Sequence, residues 1–97
     1  MENTLLRFRQ KETIETAEIE GEMVLLDMNS GSYYGLDQVG GRIWSAIAKP
    51  CTSSDIVSAL LPAYEVPESE LRRDVDGLLH ELQHEGLIET SESAASN

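Results

Sequence analysis

The spacing of apolar residues changes along this chain, from a period of two in the first third to helical spacing in the rest. Alternation of apolar and polar residues is typical of half-buried strands, whereas apolar residues three or four positions apart are typical of amphipathic helices. A chain of 97 residues can bury one modest hydrophobic core. We therefore predict one α+β domain with a winged helix-turn-helix-like plan, in which a three-stranded antiparallel sheet is followed by three helices.

The strand region is predicted to form an antiparallel meander. Apolar and polar residues alternate over residues 6–11, the alternation continues weakly over residues 14–19 as part of the same predicted first strand, and a glycine turn follows. The short apolar run 23–26 suits a strand that is covered on both faces. Residues 27–31 contain Asn and Gly, which tolerate the positive φ of a tight hairpin. Residues 32–36, with two adjacent tyrosines, are the predicted third strand.

The first two predicted helices begin with capping side chains, each of which stabilises a helix by about 1 kcal/mol. Asp37 precedes the first helix. Gly40 and Gly41 lie early in that helix, which indicates either a frayed first turn or an approach to a strand too close for a Cβ. Thr52 and Asp55 have the spacing of a capping box at the start of the second helix.

The third predicted helix has the clearest amphipathic pattern in the chain. It begins near Pro67 and ends at Gly86, which suits the residue after a helix C-terminus. The domain is expected to cover residues 1–89, and residues 90–97, rich in Ser, Ala and Glu, are expected to be a disordered tail. The apolar stripe of the helix consists of Leu71, Val75, Leu78, Leu79 and Leu82.

The charge of the chain limits its partners. Eighteen acidic residues against seven basic ones give a formal net charge of −11, which would be repelled by nucleic acid phosphates. No apolar run approaches the roughly 18 residues of a membrane span, and no secretory signal is present. A single cysteine excludes an internal disulfide and is typical of a reduced, cytoplasmic protein. We expect partners that are neutral or basic proteins or peptides, or small molecules.

Two candidate catalytic features are weak. His80 and His84 fit the H-E-x-x-H pattern of zinc proteases, but helical geometry places both opposite the apolar stripe, where no walled cleft or third ligand is expected. Cys51 has no histidine nearby in sequence that could act as its base. We therefore predict no catalytic residue, no metal site and no cofactor.

A binding surface is the remaining possibility. Residues 33–36 would form an edge strand whose free backbone groups could pair with an incoming peptide, and Gly35 would leave room for another backbone. Alternatively, Tyr33 and Tyr34 belong to the core. The sequence pattern leaves both interpretations open.

Several segments together resemble the PqqD-like family. They are Met23 to Asp27, Asn29 to Asp37, Gly40 to Trp44, the late Asp74-Val75, and the final Gly86-Leu87-Ile88. The resemblance covers about residues 5–89 and rests on the order and spacing of these segments. One departure is Asp37, which stands where many relatives have Asn, and both residues cap helices.

The resemblance implies a domain that binds the leader segment of ribosomally made, modified peptides and presents them to processing enzymes. Within the family, this chain is most similar to the leader-binding half of the split lasso-peptide maturation protease. The implied partners are a precursor leader peptide, a separate cysteine peptidase of the transglutaminase-like type, and a lasso cyclase. The alternatives are a PqqD-type chaperone that serves a radical-SAM enzyme and, less consistent with the charge, a winged-helix DNA-binding regulator.

The resemblance also implies where the leader binds. In the family the leader docks as an extra strand against the third strand, and the third helix forms the other wall. Which helix residues face the groove rather than the core stays open. The implied leader-binding residues are Tyr33, Tyr34, Gly35 and Leu36 on the strand and Asp74, Val75, Leu78 and Leu79 on the helix.

Overall fold

The computed structural model describes residues 4–94, with side chains described for residues 6–92. Within this range, two small antiparallel sheets pack with three helices, in strand orders β1-β5 and β2-β3-β4. The elements are β1 (Thr4–Gln10), β2 (Ile14–Ile19), β3 (Glu22–Asp27), β4 (Tyr33–Leu36), α1 (Gln38–Ala46), α2 (Ser53–Leu60), a 3-10 turn (Leu61–Ala63), α3 (Glu68–His84) and β5 (Ile88–Ala94). The predicted α+β class, with a three-stranded antiparallel sheet and three helices, is confirmed; winged helix-turn-helix describes the arrangement only loosely.

The three-stranded sheet is built on two hairpins. Glu20 and Gly21, with φ of 54° and 84°, form the two-residue turn between β2 and β3, where positive φ matches the strand twist. Between β3 and β4, the carboxylate of Asp27 accepts a hydrogen bond from the N–H of Asn29 at 3.0 Å. Gly31 closes this loop with φ of 77°. Both turns lie where the sequence predicted them.

The prediction of one continuous strand over residues 6–19 is wrong. A turn at residues 11–13 divides this segment, and the N–H of Ile14 donates to the carbonyl oxygen of Lys11 at 3.2 Å. Only β2 joins the three-stranded sheet, whereas β1 pairs with β5. The turn contains no Gly, Pro or Asn, so the local sequence lacked the usual signal of a chain reversal.

The chain beyond residue 89 also differs from its prediction. Residues 90–94 continue strand β5 instead of forming a disordered tail, and residues 95–97 lie outside the described part of the chain. Arg9 on β1 donates two hydrogen bonds to the Glu89 carboxylate at 2.9 and 3.0 Å. Ser, Ala and Glu have low strand propensity, so the strand depends on pairing with β1, which sequence periodicity does not reveal.

The helix termini follow the sequence prediction. The Asp37 carboxylate accepts from the N–H of Gly40 at 2.7 Å, and Thr52 and Asp55 form a reciprocal capping box at 3.1 Å in both directions. At the end of α3, Gly86 has a φ of 76°. It belongs to a Schellman motif, in which the N–H of Leu87 donates to the carbonyl oxygen of Leu82.

The core is enclosed by the three helices, the helix-facing side of the three-stranded sheet and the paired strands β1 and β5. Trp44, its largest fully buried side chain, is 1% exposed. Among the helices of residues 4–94, none combines the length and the hydropathy that a membrane span requires. The buried apolar residues are Phe8, Ile14, Leu25, Leu36, Ile43, Trp44, Ile47, Ile56, Val57, Leu60, Leu71, Val75, Leu79, Leu82, Leu87 and Ile88.

Candidate functional site

Strand β4 forms one edge of its sheet and pairs, among the described strands, only with β3. In an antiparallel pair, facing residues alternate between those that exchange hydrogen bonds and those that do not. The N–H of Asp27 donates to the carbonyl oxygen of Ser32 at 2.8 Å, so Tyr33 is the next, non-bonded residue. The backbone N–H and C=O groups of Tyr33 and Gly35 therefore point toward the open edge.

The side chains of β4 divide between the two faces of the sheet. Leu36 is buried and Tyr34 is half-buried against the core. Tyr33 lies on the opposite face, where its side chain is 76% exposed. The two tyrosines, which the sequence alone could not separate, thus have different environments: one packs toward the helices and the other does not.

A groove of about 640 Å³ lies between β4 and α3. Tyr34, Gly35 and Leu36 form its strand wall. Gly35 has no heavy atom within 4 Å of the position where a Cβ would lie, chain neighbours excepted. By strand alternation this Cβ position points to the same face as Tyr33, away from the helices, so it is the outward-facing backbone groups of the strand wall that suit the addition of a strand to the sheet edge.

The helix wall of the groove is a face of α3 adjacent to its apolar stripe. Its members, at helical spacings of one, four, five and eight, are Arg73, Asp74, Gly77, Leu78 and Glu81. Leu78 is half-buried and the others are exposed. This wall therefore offers one apolar side chain among charged ones, with a gap at Gly77, where no atom lies within 4 Å of a built Cβ.

The groove is closed at its base by the start of α1. Val39, Gly40 and Ile43 line it there. A Cβ on Gly40 would lie 3.2 Å from the Asp37 carboxylate oxygen and from the Leu36 side chain. Gly40 thus allows the helix to begin directly against the end of β4, in agreement with the predicted close approach.

Tyr34 is the one groove residue with a strongly shifted pKa. Burial of the hydroxyl, followed by its hydrogen-bonding interaction with Glu81 and the negative charges of Glu81 and Glu85, raises the pKa of Tyr34 to about 12. The phenol is neutral at physiological pH, and its hydroxyl lies close enough to the Glu81 carboxylate for the two groups to interact. This interaction links the strand wall to the helix wall at one side of the groove.

The eight predicted binding residues divide into three groups. The groove is lined by Tyr34, Gly35 and Leu36 from the strand and by Asp74 and Leu78 from the helix. Tyr33 contributes backbone groups at the open edge. Val75 and Leu79 are 0% and 2% exposed, so they support the helix from the core and cannot contact a peptide in the groove.

Several lining residues were absent from the prediction. Arg73, Gly77 and Glu81 belong to the same face of α3 as Asp74, and a helical projection of that face would have identified them. Gly77 carried a further signal, since glycine inside a helix costs about 1 kcal/mol relative to alanine. The base residues of α1 could not be found in this way because their position depends on tertiary packing.

Among the side chains that the structure describes, none near this groove has the features of a nucleophile or belongs to a metal ligand set. His80 and His84 are exposed, and among the described residues no three or more metal-ligating side chains cluster. Burial, together with the charge of Asp55, raises the pKa of the Cys51 thiol against an opposing effect of Arg7. The Cys51 thiol donates to the carbonyl oxygen of Ala46 at 3.4 Å, so this side chain packs against the end of α1.

Comparison with known proteins is consistent with this geometry. A family model described as Coenzyme PQQ synthesis protein D (PqqD) matches residues 22–88. A solved structure titled "TbiB1 in Complex with the TbiA(beta) Leader Peptide" is 35% identical, with a TM-score of 0.74 over 84% of this chain and 94% of that one. A second, "Lasso peptide synthetase B1 complexed with the leader peptide", is 29% identical, with a TM-score of 0.75 over 84% of this chain and 96% of that one. A comparison with curated protein sequences gives no match.

Proposed function

This chain belongs to the PqqD family, and we propose that it is a non-catalytic domain that binds the leader segment of a ribosomally synthesised precursor, most consistent with a lasso-peptide precursor. Similarity to two proteins solved with leader peptides supports this proposal. The observation that carries it is the open edge of β4 directly opposite the α3 wall of a groove. We place the encounter in the cytoplasm, where ribosomes release the precursor.

Binding would occur by addition of the leader as a further strand. The outward N–H and C=O groups of Tyr33 and Gly35 would pair with the peptide backbone, which provides affinity that depends little on sequence. A partner strand lies about 4.8 Å from its neighbour, so the peptide would fill the space between β4 and α3.

Specificity would come from side chains that point into the groove. The half-buried side chains of Val39 at its base and Leu78 on its helix wall offer apolar contacts, whereas Leu36 and Ile43 are almost fully buried. Asp74 and Glu81 are carboxylates on the helix wall, so basic leader residues would be attracted to it. With a net charge of −11, association of a basic leader should be fast and sensitive to salt.

The bound leader would hold the precursor for separate enzymes. We propose a transglutaminase-like cysteine peptidase, which removes the leader, and a lasso cyclase as these partners. The domain itself would contribute proximity and orientation, because the described residues offer a groove without a catalytic constellation.

Titration of a fluorescently labelled leader peptide against the domain tests this function. We expect saturable binding at low micromolar concentration or below, and loss of binding for a peptide of the same composition in scrambled order. The Tyr-x-x-Pro element that the family resemblance implies for lasso leaders should contribute, so its replacement by alanines should weaken binding. No binding at high micromolar concentration would contradict the proposal.

A second candidate is favoured by the description of the matching family model, which names coenzyme PQQ synthesis. In that case the same groove would hand a precursor to a radical-SAM enzyme. The two candidates differ in the enzyme that associates with the domain once a leader is bound, and co-purification with each enzyme in turn distinguishes them.

A further inference from the structure

The outer face of the three-stranded sheet, on the side away from the helices, is unexpectedly apolar. Side chains alternate between the faces of a strand, and Leu25, which is 0% exposed, marks the helix side of β3. Val24 and Leu26 consequently lie on the other side, where they are half-buried and do not belong to the residues packed against the core. Residues 23–26 place apolar side chains on both faces of the strand. The described part of the chain covers only the face that lies toward the helices.

The strand register makes this apolar surface continuous. Leu26 faces Tyr33 on β4, and Val24 faces Ala17 on β2. Ile19, 56% exposed, lies at the end of the same row on β2. We call these five residues, Ala17, Ile19, Val24, Leu26 and Tyr33, the outer patch. Antiparallel sheets with one free face normally present polar residues there, and a contiguous apolar patch typically marks an interaction site.

Carboxylates border the outer patch. Glu15 faces Leu26, and Glu22 faces Ile19, on the same side of the sheet. The stretch 12–41 contains seven carboxylates and no lysine or arginine. A complementary surface would therefore have an apolar centre with lysine or arginine side chains around it.

The same charges disfavour a second copy of this chain as the occupant. Two outer patches packed against each other would bring the Glu15 and Glu22 carboxylates of both copies together, in molecules that each carry a net charge of −11. Like charges directly opposed across an interface disfavour association. Charge therefore favours a different protein as the occupant of the outer patch.

We infer that the outer patch is the docking surface for the leader peptidase, which would present an apolar patch flanked by basic side chains. This inference rests on the proposed function, because a leader strand added beside β4 would place every second side chain next to Tyr33 on the outer face. A peptidase seated there would contact the domain and the leader together. The groove would hold the peptide, and the opposite face of the same sheet would position the enzyme.

Two outer-patch variants and one matched control test this inference. Val24→Thr combined with Leu26→Thr keeps strand-forming side chains but removes apolar surface, and Ile19→Thr does so at one exposed position. Leu6→Thr is the control, because Leu6 is 42% exposed on β1, in the other sheet. Peptidase association is measured by biolayer interferometry with and without leader, and leader affinity by fluorescence polarisation.

We expect the double variant to lose at least about tenfold in peptidase affinity and Ile19→Thr to lose less. Both should bind leader as the wild type does, and Leu6→Thr should change neither measurement. Unchanged peptidase affinity in both variants, or no association of the peptidase with the wild-type domain, would overturn the inference while leaving leader binding intact. If the wild-type domain fails to bind leader, it is the proposed function that is contradicted.

Charge and self-association provide two further readouts. The double variant Glu15→Lys and Glu22→Lys should weaken peptidase association and reduce its dependence on salt. The control, Glu65→Lys and Glu70→Lys, makes the same charge change at exposed positions elsewhere and should weaken association less.

Sedimentation of the wild-type domain should show a monomer. A dimer that the Val24→Thr and Leu26→Thr changes dissociate would assign the patch to a second copy and overturn the inference.

Discussion

Gly35 and Gly77 lie on opposite walls of the groove between β4 and α3, and neither has a neighbouring heavy atom within 4 Å of the position that a Cβ would occupy. One belongs to a strand edge and the other to the middle of a helix, where glycine is destabilising by about 0.5–1 kcal/mol relative to alanine. Gly77 keeps the helix wall free of a side chain, whereas the open Cβ position at Gly35 points to the outer face of the sheet, beside Tyr33.

Enlarging Gly77 should therefore obstruct the groove without damaging the fold. We expect Gly77→Leu to reduce leader affinity by at least about tenfold, since its side chain would occupy the peptide path. Gly77→Ala is the matched control, and it should stabilise the domain by about 0.5–1 kcal/mol with little effect on binding. Leader titration and urea unfolding measure the two effects, and full affinity in Gly77→Leu would show that the peptide does not pass here.

Removal of one outward N–H tests strand addition directly. Gly35→Pro should fold, because proline is tolerated on an edge strand where the lost N–H faces outward, but leader affinity should fall by about tenfold as a backbone bond is lost. Gly35→Ala keeps the N–H and should bind nearly normally. Tyr34→Pro is a different experiment, since the Tyr34 N–H faces β3 and its loss would destabilise the sheet. If folded Gly35→Pro binds leader as tightly as Gly35→Ala, strand addition is wrong.

The raised pKa of Tyr34 predicts a change in stability at alkaline pH. The pKa is about 12 in the folded domain against 10.0 for the free phenol, so the folded state holds this proton more tightly than the unfolded chain. The resulting stability is fully present below pH 10.0 and is lost as the pH rises toward about 12. Tyr34→Phe should lack this component, and Glu81→Gln should shift it to lower pH.

Absorbance of tyrosinate, taken as the difference between wild type and Tyr34→Phe, measures this titration. Urea unfolding of the same two proteins across the alkaline range checks the linkage to stability. A difference spectrum that titrates at the value of a free phenol would contradict the assigned environment of Tyr34.

Neutralising Asp74 should slow leader association. Its carboxylate lies on the helix wall of the groove, and complementary charges act mainly on association rate. We expect Asp74→Asn to lower the association rate of a basic leader several-fold at low salt, with a smaller effect at high salt. Asp76→Asn removes the same charge from an exposed position outside the groove and should change the rate less. Stopped-flow fluorescence provides the rates, and equal effects of the two changes would exclude a local role for Asp74.

Much of the fold could be predicted because its signals are local. The Asp37 cap, the Thr52 capping box and the Gly86 terminus depend on hydrogen bonds between residues close in sequence. The apolar stripe of α3 likewise predicts its buried face, because helical periodicity alone sets which side chains share a side.

The sequence could not assign which strands pair with each other or on which face of the sheet each side chain lies. Strand β5 exists through its partner β1, 80 positions away for Arg9 and Glu89, and no local pattern in residues 90–94 encodes that contact. Tyr33 and Tyr34 have identical side chains, and only the register of β4 against β3 decides which of them faces the groove.

Local signals predicted the three helices, their caps and the two hairpin turns, because these are encoded by hydrogen bonds and residue spacing within a few positions; the binding strand was implied by the family resemblance. The separation of β1 from β2, the edge position of β4 among the described strands, the burial of Val75 and Leu79, and the outward direction of Val24 and Leu26 became visible only in the tertiary structure. Those properties depend on which distant segments pack against each other. The same residue type is buried where another segment covers it and exposed where none does.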